Sequence, residues 1–274
     1  MTVASLGKAL DLLQLFTPSR PEWSVKELSE VTGYPKGSIS RMLATFVARG
    51  FLRQDPHTRR YRLGPAFLVA TRLVHGHLDY GSLAEPVLQE LAARTKETAI
   101  WMVRVGWRSL CQATVESPFP VRMAAEVGRY ASLHSGASNK PILAFMDAGE
   151  ITEYLDSPYF VSRGPRTIVD AQKLWAHLAD IRQKGYAESD SEVEPDIQAF
   201  GAPVFDAGGA VLGAVSVAGP CTRMSTHNPD EVIASVQRAA QSLSWQLGWR
   251  GPWPAPWRPK GLGKEPISRE GTRR

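Results

Sequence analysis

Cysteine is scarce in this chain, with only Cys111 and Cys221 in 274 residues. Neither has a His or Cys neighbour at metal-ligand spacing, so the two thiols make neither a zinc site nor a disulfide scaffold. Both are expected to pack as core in a reducing compartment. Long apolar runs are missing as well. No stretch reaches the ~18 residues of a membrane span, and the N-terminus lacks the charged-then-apolar pattern of a signal peptide. The expected location is the cytoplasm, with no membrane partner.

Catalytic signatures are also absent. There is no Gly-x-Ser-x-Gly elbow, and the six histidines (His57, His75, His77, His134, His177 and His227) show no His-Glu-x-x-His spacing. His75 and His77 stand two apart and would face different sides of a helix. The turn Ala207-Gly208-Gly209 lacks the Lys and following helix of a phosphate-binding loop. Ser135, His134 and Asp147 resemble the parts of a triad but have no elbow to present them. No enzyme, cofactor or metal is expected.

Charge is present but unevenly spread. Residues 1–65 carry ten basic against five acidic side chains, 66–249 fifteen against twenty, and 250–274 seven against two. An acidic middle domain is a poor surface for DNA and reads as a sensing or assembly domain between two basic ends. The length suits about two domains of ~100–200 residues each.

Within the basic N-terminal part, Ser24-Val25-Lys26-Glu27 reads as a capping box that starts a short helix. Val25, Leu28 and Val31 share one side of it, and Thr32-Gly33-Tyr34-Pro35 turns the chain. A second helix from Pro35 places Ile39, Met42, Leu43, Phe46 and Val47 on one apolar stripe. Its other face carries Lys36, Ser40 and Arg41, with Gly37 and Ser38 small enough to let a backbone approach. Helix N-terminal residues of this kind suit base edges and phosphates. Gly50 ends the helix, and residues 51–54 and 60–63 pair as a hairpin across Asp55-Pro56. Arg53, His57, Arg59, Arg60 and Arg62 make that wing cationic, which favours phosphate or minor-groove contact. A helix over Ser5 to Phe16, with Leu6, Ala9, Leu10, Leu13 and Phe16, covers the other two. The predicted DNA-contacting set is Lys36, Ser38, Ser40, Arg41, Arg53, Arg59, Arg60 and Arg62.

This winged helix-turn-helix is expected over 1–64, followed by a linker helix over 65–80 whose apolar face could pair with a second subunit. A domain over 81–249 has helices at Ser82–Thr95, Ser138–Met146, 171–184 and Pro229–Trp249. Hairpin strands lie at Glu97–Val105 with Ser109–Val115 and at Gln198–Phe205 with Ala210–Ala218. Helices on an antiparallel sheet give an α+β fold. The tail 250–274 is rich in Pro and basic residues and reads as disordered.

Four pieces in order over residues 5–249 carry a resemblance to the IclR family of bacterial transcriptional regulators. They are the Ser24-to-Arg62 winged helix, the run Leu133 to Pro141, Gly185-Tyr186-Ala187-Glu188-Ser189-Asp190, and Ala202 to Asp206 through Ser216 to Pro220. The resemblance implies a GAF-like effector-binding domain and a homodimer or dimer of dimers. It also implies a palindromic double-stranded DNA operator whose occupancy responds to a small organic acid. It places the effector pocket on Met123, Ala131, Ala137, Ser138, Ser189, Asp190, Ala199, Ser216 and Ala218. Ser138-Asn139-Lys140-Pro141 departs from the family's small-Gly-Lys-Ala run, and Ala199 and Ala218 stand where relatives carry polar groups. Fewer fixed hydrogen-bonding groups favour apolar contact, and so an aromatic or otherwise apolar acid over a short oxoacid. The alternative is a constitutive DNA binder built from the basic modules alone.

Overall fold

A computed structural model describes residues 3–17, 20–69 and 80–257. The chain divides into two compact units, residues 1–79 and 80–274.

The first unit contains α1 (Ala4–Gln14), α2 (Val25–Thr32), α3 (Lys36–Ala48), β1 (Leu52–Gln54) and β2 (Tyr61–Leu63). The capping box forms as expected, with Glu27 N–H donating to Ser24 Oγ at 3.3 Å and Ser24 N–H donating to Glu27 Oε2 at 2.8 Å. Gly33 closes α2 at φ 70°, a left-handed conformation that glycine adopts without a Cβ penalty. Leu12, Phe16, Leu28, Ile39, Leu43, Leu52 and Tyr61 form the core. Trp23 exchanges backbone hydrogen bonds with Tyr61, adding a third short stretch to the hairpin. The expected stripes are wider than the surface actually covered. α1 stops at Gln14, with Leu12 turned inward and Leu6 and Leu10 exposed; Val31 and Val47 are exposed too. A domain this small covers only one turn-width of each helix. Of the linker helix expected over 65–80, residues 66–69 are helical and 70–79 lie outside the described residues.

In the second unit α4 (Tyr80–Thr95) leads into a six-stranded antiparallel sheet. Its strands are β3 (Thr98–Val105), β4 (Arg108–Val115), β5 (Tyr130–Ser132), β6 (Ala187–Asp190), β7 (Ile197–Phe205) and β8 (Val211–Pro220). Their spatial order is β5-β4-β3-β8-β7-β6. The two-residue period of a strand decides the layers. Ala99, Trp101 and Val103 of β3 face α4 and α9 (Pro229–Gln246). Ile100 and Met102 face the other layer, which comprises α5 (Lys140–Ala144), α6 (Ala148–Leu155) and α7 (Ala171–Lys184). A short α8 (Cys221–Met224) follows β8. No helix among the described residues is long and apolar enough to cross a membrane.

Several boundaries differ from the sequence reading. α5 begins at Lys140, leaving Ser138 and Asn139 in the preceding turn, and Ser82 lies inside α4 and not at its cap. The Ala187–Asp190 segment, for which no strand was expected, is an edge strand paired with β7. Cys111 is buried as expected, whereas Cys221 is half-exposed at the start of α8. Residues 250–257 do not behave as a disordered tail. Trp257 Nε1–H donates to the Met146 carbonyl at 2.8 Å, the Arg182 guanidinium lies 3.7 Å from the Trp257 ring centroid, and Ala255 is buried. The apolar area of Trp253, packed against the core, and of Trp257 outweighs the Pro-rich composition.

Candidate functional site

Helix α3 starts after Pro35 with no side-chain cap, so its first amides have no intrahelical partner. Lys36, Ser40 and Arg41 are exposed beside them, and Ser38 is half-buried with its Oγ 3.5 Å from Arg41 Nη2. On the wing, Asp55 accepts the His57 and Thr58 amides at 2.8 Å each, which tightens the turn and presents Arg59 at φ 58°. Arg53 and Arg62 are direct cross-strand partners. Two of the predicted wing cations are already engaged. Arg62 pairs with Glu22 at 2.5 Å and Arg60 with Glu27 at 2.9 Å. Hydrogen bonds from Ser24, then Arg60, hold the Glu27 carboxyl down at about 2. Arg60 and Arg62 therefore brace the wing against α2, while Lys36, Arg41, Arg53 and Arg59 have no salt-bridge partner among the described residues.

The second unit holds a cavity of about 500 Å³ between the sheet and the 123–139 segment. Gly136, at φ 81°, bends the chain into this segment's closing turn, and Gly201 lets that turn settle on β7. A Cβ at Gly201 would stand 2.1 Å from the Ala137 carbonyl oxygen. Asn139 ties the turn together by donating to Ser135 O at 2.8 Å and accepting from Ser109 Oγ at 2.6 Å. Met123, Ala131, Ala137, Ser138, Ser189, Ala199 and Ala218 all lie on the cavity wall.

Ser216 and Asp190 do not. Ser216 is fully buried behind the wall, 2.6 Å from Ser138 Oγ, and positions that hydroxyl. Asp190 turns outward to an ion pair with Arg166 and accepts Ser191 Oγ–H at 2.7 Å. The Ser191 hydrogen bond keeps its carboxyl below the usual range.

The wall also carries groups that sequence reasoning missed. Ile100, Met102 and Cys111 form an apolar floor, whereas Arg108, Arg129, Tyr130, Tyr159 and Arg163 bring charge and aromatic faces. The cavity is thus less uniformly apolar than expected, because these arginines come from a hairpin end and irregular loops where no periodicity points inward. Burial pushes the Cys111 thiol up to about 11, so it lines the cavity as a neutral group. Lys140 is fully buried against Glu192 and donates to the Glu188 carbonyl at 2.8 Å. Burial presses the Lys140 ammonium below its ordinary range while Glu192 opposes the shift. Glu192 also accepts the Gly136 amide at 2.9 Å, and Ser189 Oγ accepts the Ala137 amide at 3.0 Å. His134 sits behind the turn between Tyr154 OH at 2.6 Å and Val161 O at 3.0 Å, and burial lowers it to about 4. Among the described residues no group of three or more His, Cys, Asp and Glu could hold a metal ion.

A second recess of about 530 Å³ lies between the end of α4 and the start of α9. Its arginines are satisfied locally, Arg94 by Glu90 at 2.9 Å and Arg238 by Ser235 at 3.0 Å. The cavity facing the 135–139 turn is therefore the stronger ligand site.

A winged helix-turn-helix followed by a sheet-backed cavity domain is the plan of a DNA-binding transcriptional regulator. The sequence profile of the IclR helix-turn-helix domain matches residues 5–56, and that of the bacterial transcriptional regulator IclR C-terminal domain matches residues 73–245. The chain belongs to the IclR family of bacterial transcriptional regulators, which are not enzymes. It is 33% identical to the HTH-type transcriptional regulator KipR of Bacillus subtilis over 237 residues, covering 86% of this chain and 94% of that one. The crystal structure of an IclR transcriptional regulator from a Silicibacter species superposes with a TM-score of 0.81 at 28% identity, covering 92% of this chain and 99% of the other. An IclR homolog from Microbacterium hydrocarbonoxydans, solved in complex with 4-hydroxybenzoate, shares the fold with a TM-score of 0.73 at 20% identity, over 89% of this chain and 98% of that one.

Proposed function

We propose that a small organic acid held in the 500 Å³ cavity modulates binding of this regulator to a palindromic operator, with the protein acting as a dimer or dimer of dimers. The carrying observation is the cavity itself, whose wall combines an apolar floor with Arg108, Arg129 and Arg163, which have no salt-bridge partner among the described residues, alongside Glu126, Glu194 and the Lys140-paired Glu192. The arginines and the apolar floor together suit a carboxylate attached to an apolar body. An aromatic acid fits this description better than a two- or three-carbon oxoacid, and a protein of the same fold has been solved with 4-hydroxybenzoate. In this reading Lys36, Ser38, Ser40 and Arg41 meet the operator from α3 and Arg53 and Arg59 from the wing, two half-sites needing two copies. The acid acts by binding one arrangement of the winged helices more tightly than another, since a ligand without such preference shifts no population.

The test is an anisotropy titration of the full chain against its own upstream intergenic DNA at two salt concentrations, with and without benzoate, 4-hydroxybenzoate and pyruvate. Saturable, sequence-dependent binding altered by an aromatic acid supports the reading. Sequence-dependent binding indifferent to every acid would leave a constitutive DNA binder instead.

A further inference from the structure

The three short stretches of the wing set charged groups in a row. The antiparallel bridge between Trp23 and Tyr61 buries both of those side chains and leaves their neighbours Glu22 and Arg62 side by side on the outer face, where Glu22 Oε1 meets Arg62 Nη2 at 2.5 Å. On the far side of Arg62 stands Arg53, its direct cross-strand partner on β1. Directly opposed residues bring their Cβ atoms within about 5 Å, and like charges so placed are unfavourable. The row therefore runs from one carboxylate to two guanidinium groups, and the outer of these, Arg53, has no salt-bridge partner among the described residues.

Three carboxylates stand among the wing's cations, and two of them hold local structure together. Glu27 closes the capping box of α2 and also takes Arg60 at 2.9 Å and Arg20 at 3.2 Å. Asp55 Oδ1 accepts the His57 and Thr58 amides that shape the turn. Glu22 does neither: among the described residues its carboxylate is paired with Arg62 alone. The Arg62 side chain is 58% exposed and that of Glu22 27%, so water and salt screen the pair and it contributes little to holding the wing. A phosphate set between Arg62 and Arg53 would accept from both guanidinium groups and relieve their mutual repulsion, which Glu22, at one end of the row, does for Arg62 only.

Building on the reading above that the wing meets DNA, we infer that Glu22 is an internal stand-in for phosphate: it occupies Arg62 in the free protein, and a DNA phosphate displaces it to lie between Arg53 and Arg62. The partner is the sugar-phosphate backbone and not a base edge, so the exchange carries no sequence information. Glu22 thus lowers affinity for every duplex alike. In a segment with ten basic against five acidic side chains over residues 1–65, a carboxylate placed there holds down indiscriminate binding.

Anisotropy titrations of the full chain against its upstream intergenic fragment and a random duplex of equal length, over a range of salt concentrations, test this. Glu22→Gln is expected to tighten binding to both duplexes about three- to tenfold and to steepen the fall of affinity with salt by up to about one phosphate contact. Arg62→Gln is expected to weaken both and to flatten that fall by about one contact. The two substitutions break the same ion pair and should lower the melting temperature by the same small amount, so a merely structural pair would move DNA affinity in one direction for both. Opposite movement is the mark of displacement. With Arg62 already replaced, Glu22→Gln should change binding little. Weaker or unchanged binding by Glu22→Gln, or the same gain in the Arg62→Gln background, would overturn the assignment. The random duplex keeps this separate from the operator reading: a wild-type chain with no preference for the upstream fragment would remove the operator, while the salt slopes still decide the role of Glu22.

Discussion

Glu97 and Arg223 meet in a two-pronged ion pair across 126 residues of chain, Nε to Oε1 at 2.5 Å and Nη2 to Oε2 at 2.6 Å. Glu97 is fully buried, and Gly219 leaves room for it, since a Cβ there would stand 2.2 Å from Oε2. The pair ties the start of β3 to α8, and removing one member strands the other's charge in the interior. Arg223→Met is expected to destabilise the 80–257 unit by about 3–5 kcal/mol, whereas Glu97→Leu with Arg223→Met recovers most of that loss. Urea denaturation of the two variants checks it; equal losses would show that the pair contributes net attraction of its own.

The acid limb of stability should be set by two imidazoles. Burial lowers both His134 and His177 from 6.5 to about 4. Their folded forms bind protons less readily than the unfolded chain, so the stability they contribute is present above about pH 6.5. It is lost as pH falls from there toward 4. The melting temperature should decline over that window, and His177→Leu should flatten the slope, because His177 Nε2 is buried without a hydrogen-bond partner among the described residues. A slope unchanged by the substitution would place the proton uptake elsewhere.

Gly201→Ala should be among the most damaging single-methyl changes in the chain. Its Cβ would meet the Ala137 carbonyl oxygen at 2.1 Å and Ser216 Cβ at 3.2 Å, forcing the cavity turn off β7. A cost of about 1–3 kcal/mol is expected for such overpacking, together with loss of acid binding. Retained benzoate affinity at reduced stability would mean the turn re-seats without reshaping the cavity.

On the DNA side, Arg41→Ala should weaken operator affinity about tenfold or more without altering the oligomeric state. Arg59→Ala should reduce the salt dependence of binding by about one phosphate contact. Arg60→Ala should do less to affinity and more to the wing's melting, because Arg60 is committed to Glu27. Equal effects of the two wing substitutions on the salt slope would show that the Arg60–Glu27 pair opens on DNA.

Most of the architecture was legible because it rests on local signals. Ser24 with Glu27, Gly33, Gly185 and the alternation along β3 and β8 each announce an element through backbone chemistry, and the structure places those elements within a few residues. What the sequence concealed depends on distant chain segments. β5 and β6 are too short to show alternation, and each exists because a neighbour offers it an edge. The placement of Ser216 behind Ser138, and of Asp190 against Arg166, is decided by partners 78 and 24 residues away. The cavity arginines were hidden for the same reason, since nothing local links Arg163 to Arg108 and Arg129.

The run from Trp249 to Trp257 has a consequence for solubility. It crosses from α9 past Gly185, where Pro254 lies 3.3 Å from the position a Cβ would take, and ends with its last indole stacked on Arg182. A chain cut at residue 249, where helical periodicity ends, would keep every strand and helix yet bare the seam that Trp253, Ala255 and Trp257 now cover. Such an uncovered apolar strip is an invitation to self-association. These few residues thus act as the molecule's own hem, and shortening them should yield a folded protein that clumps.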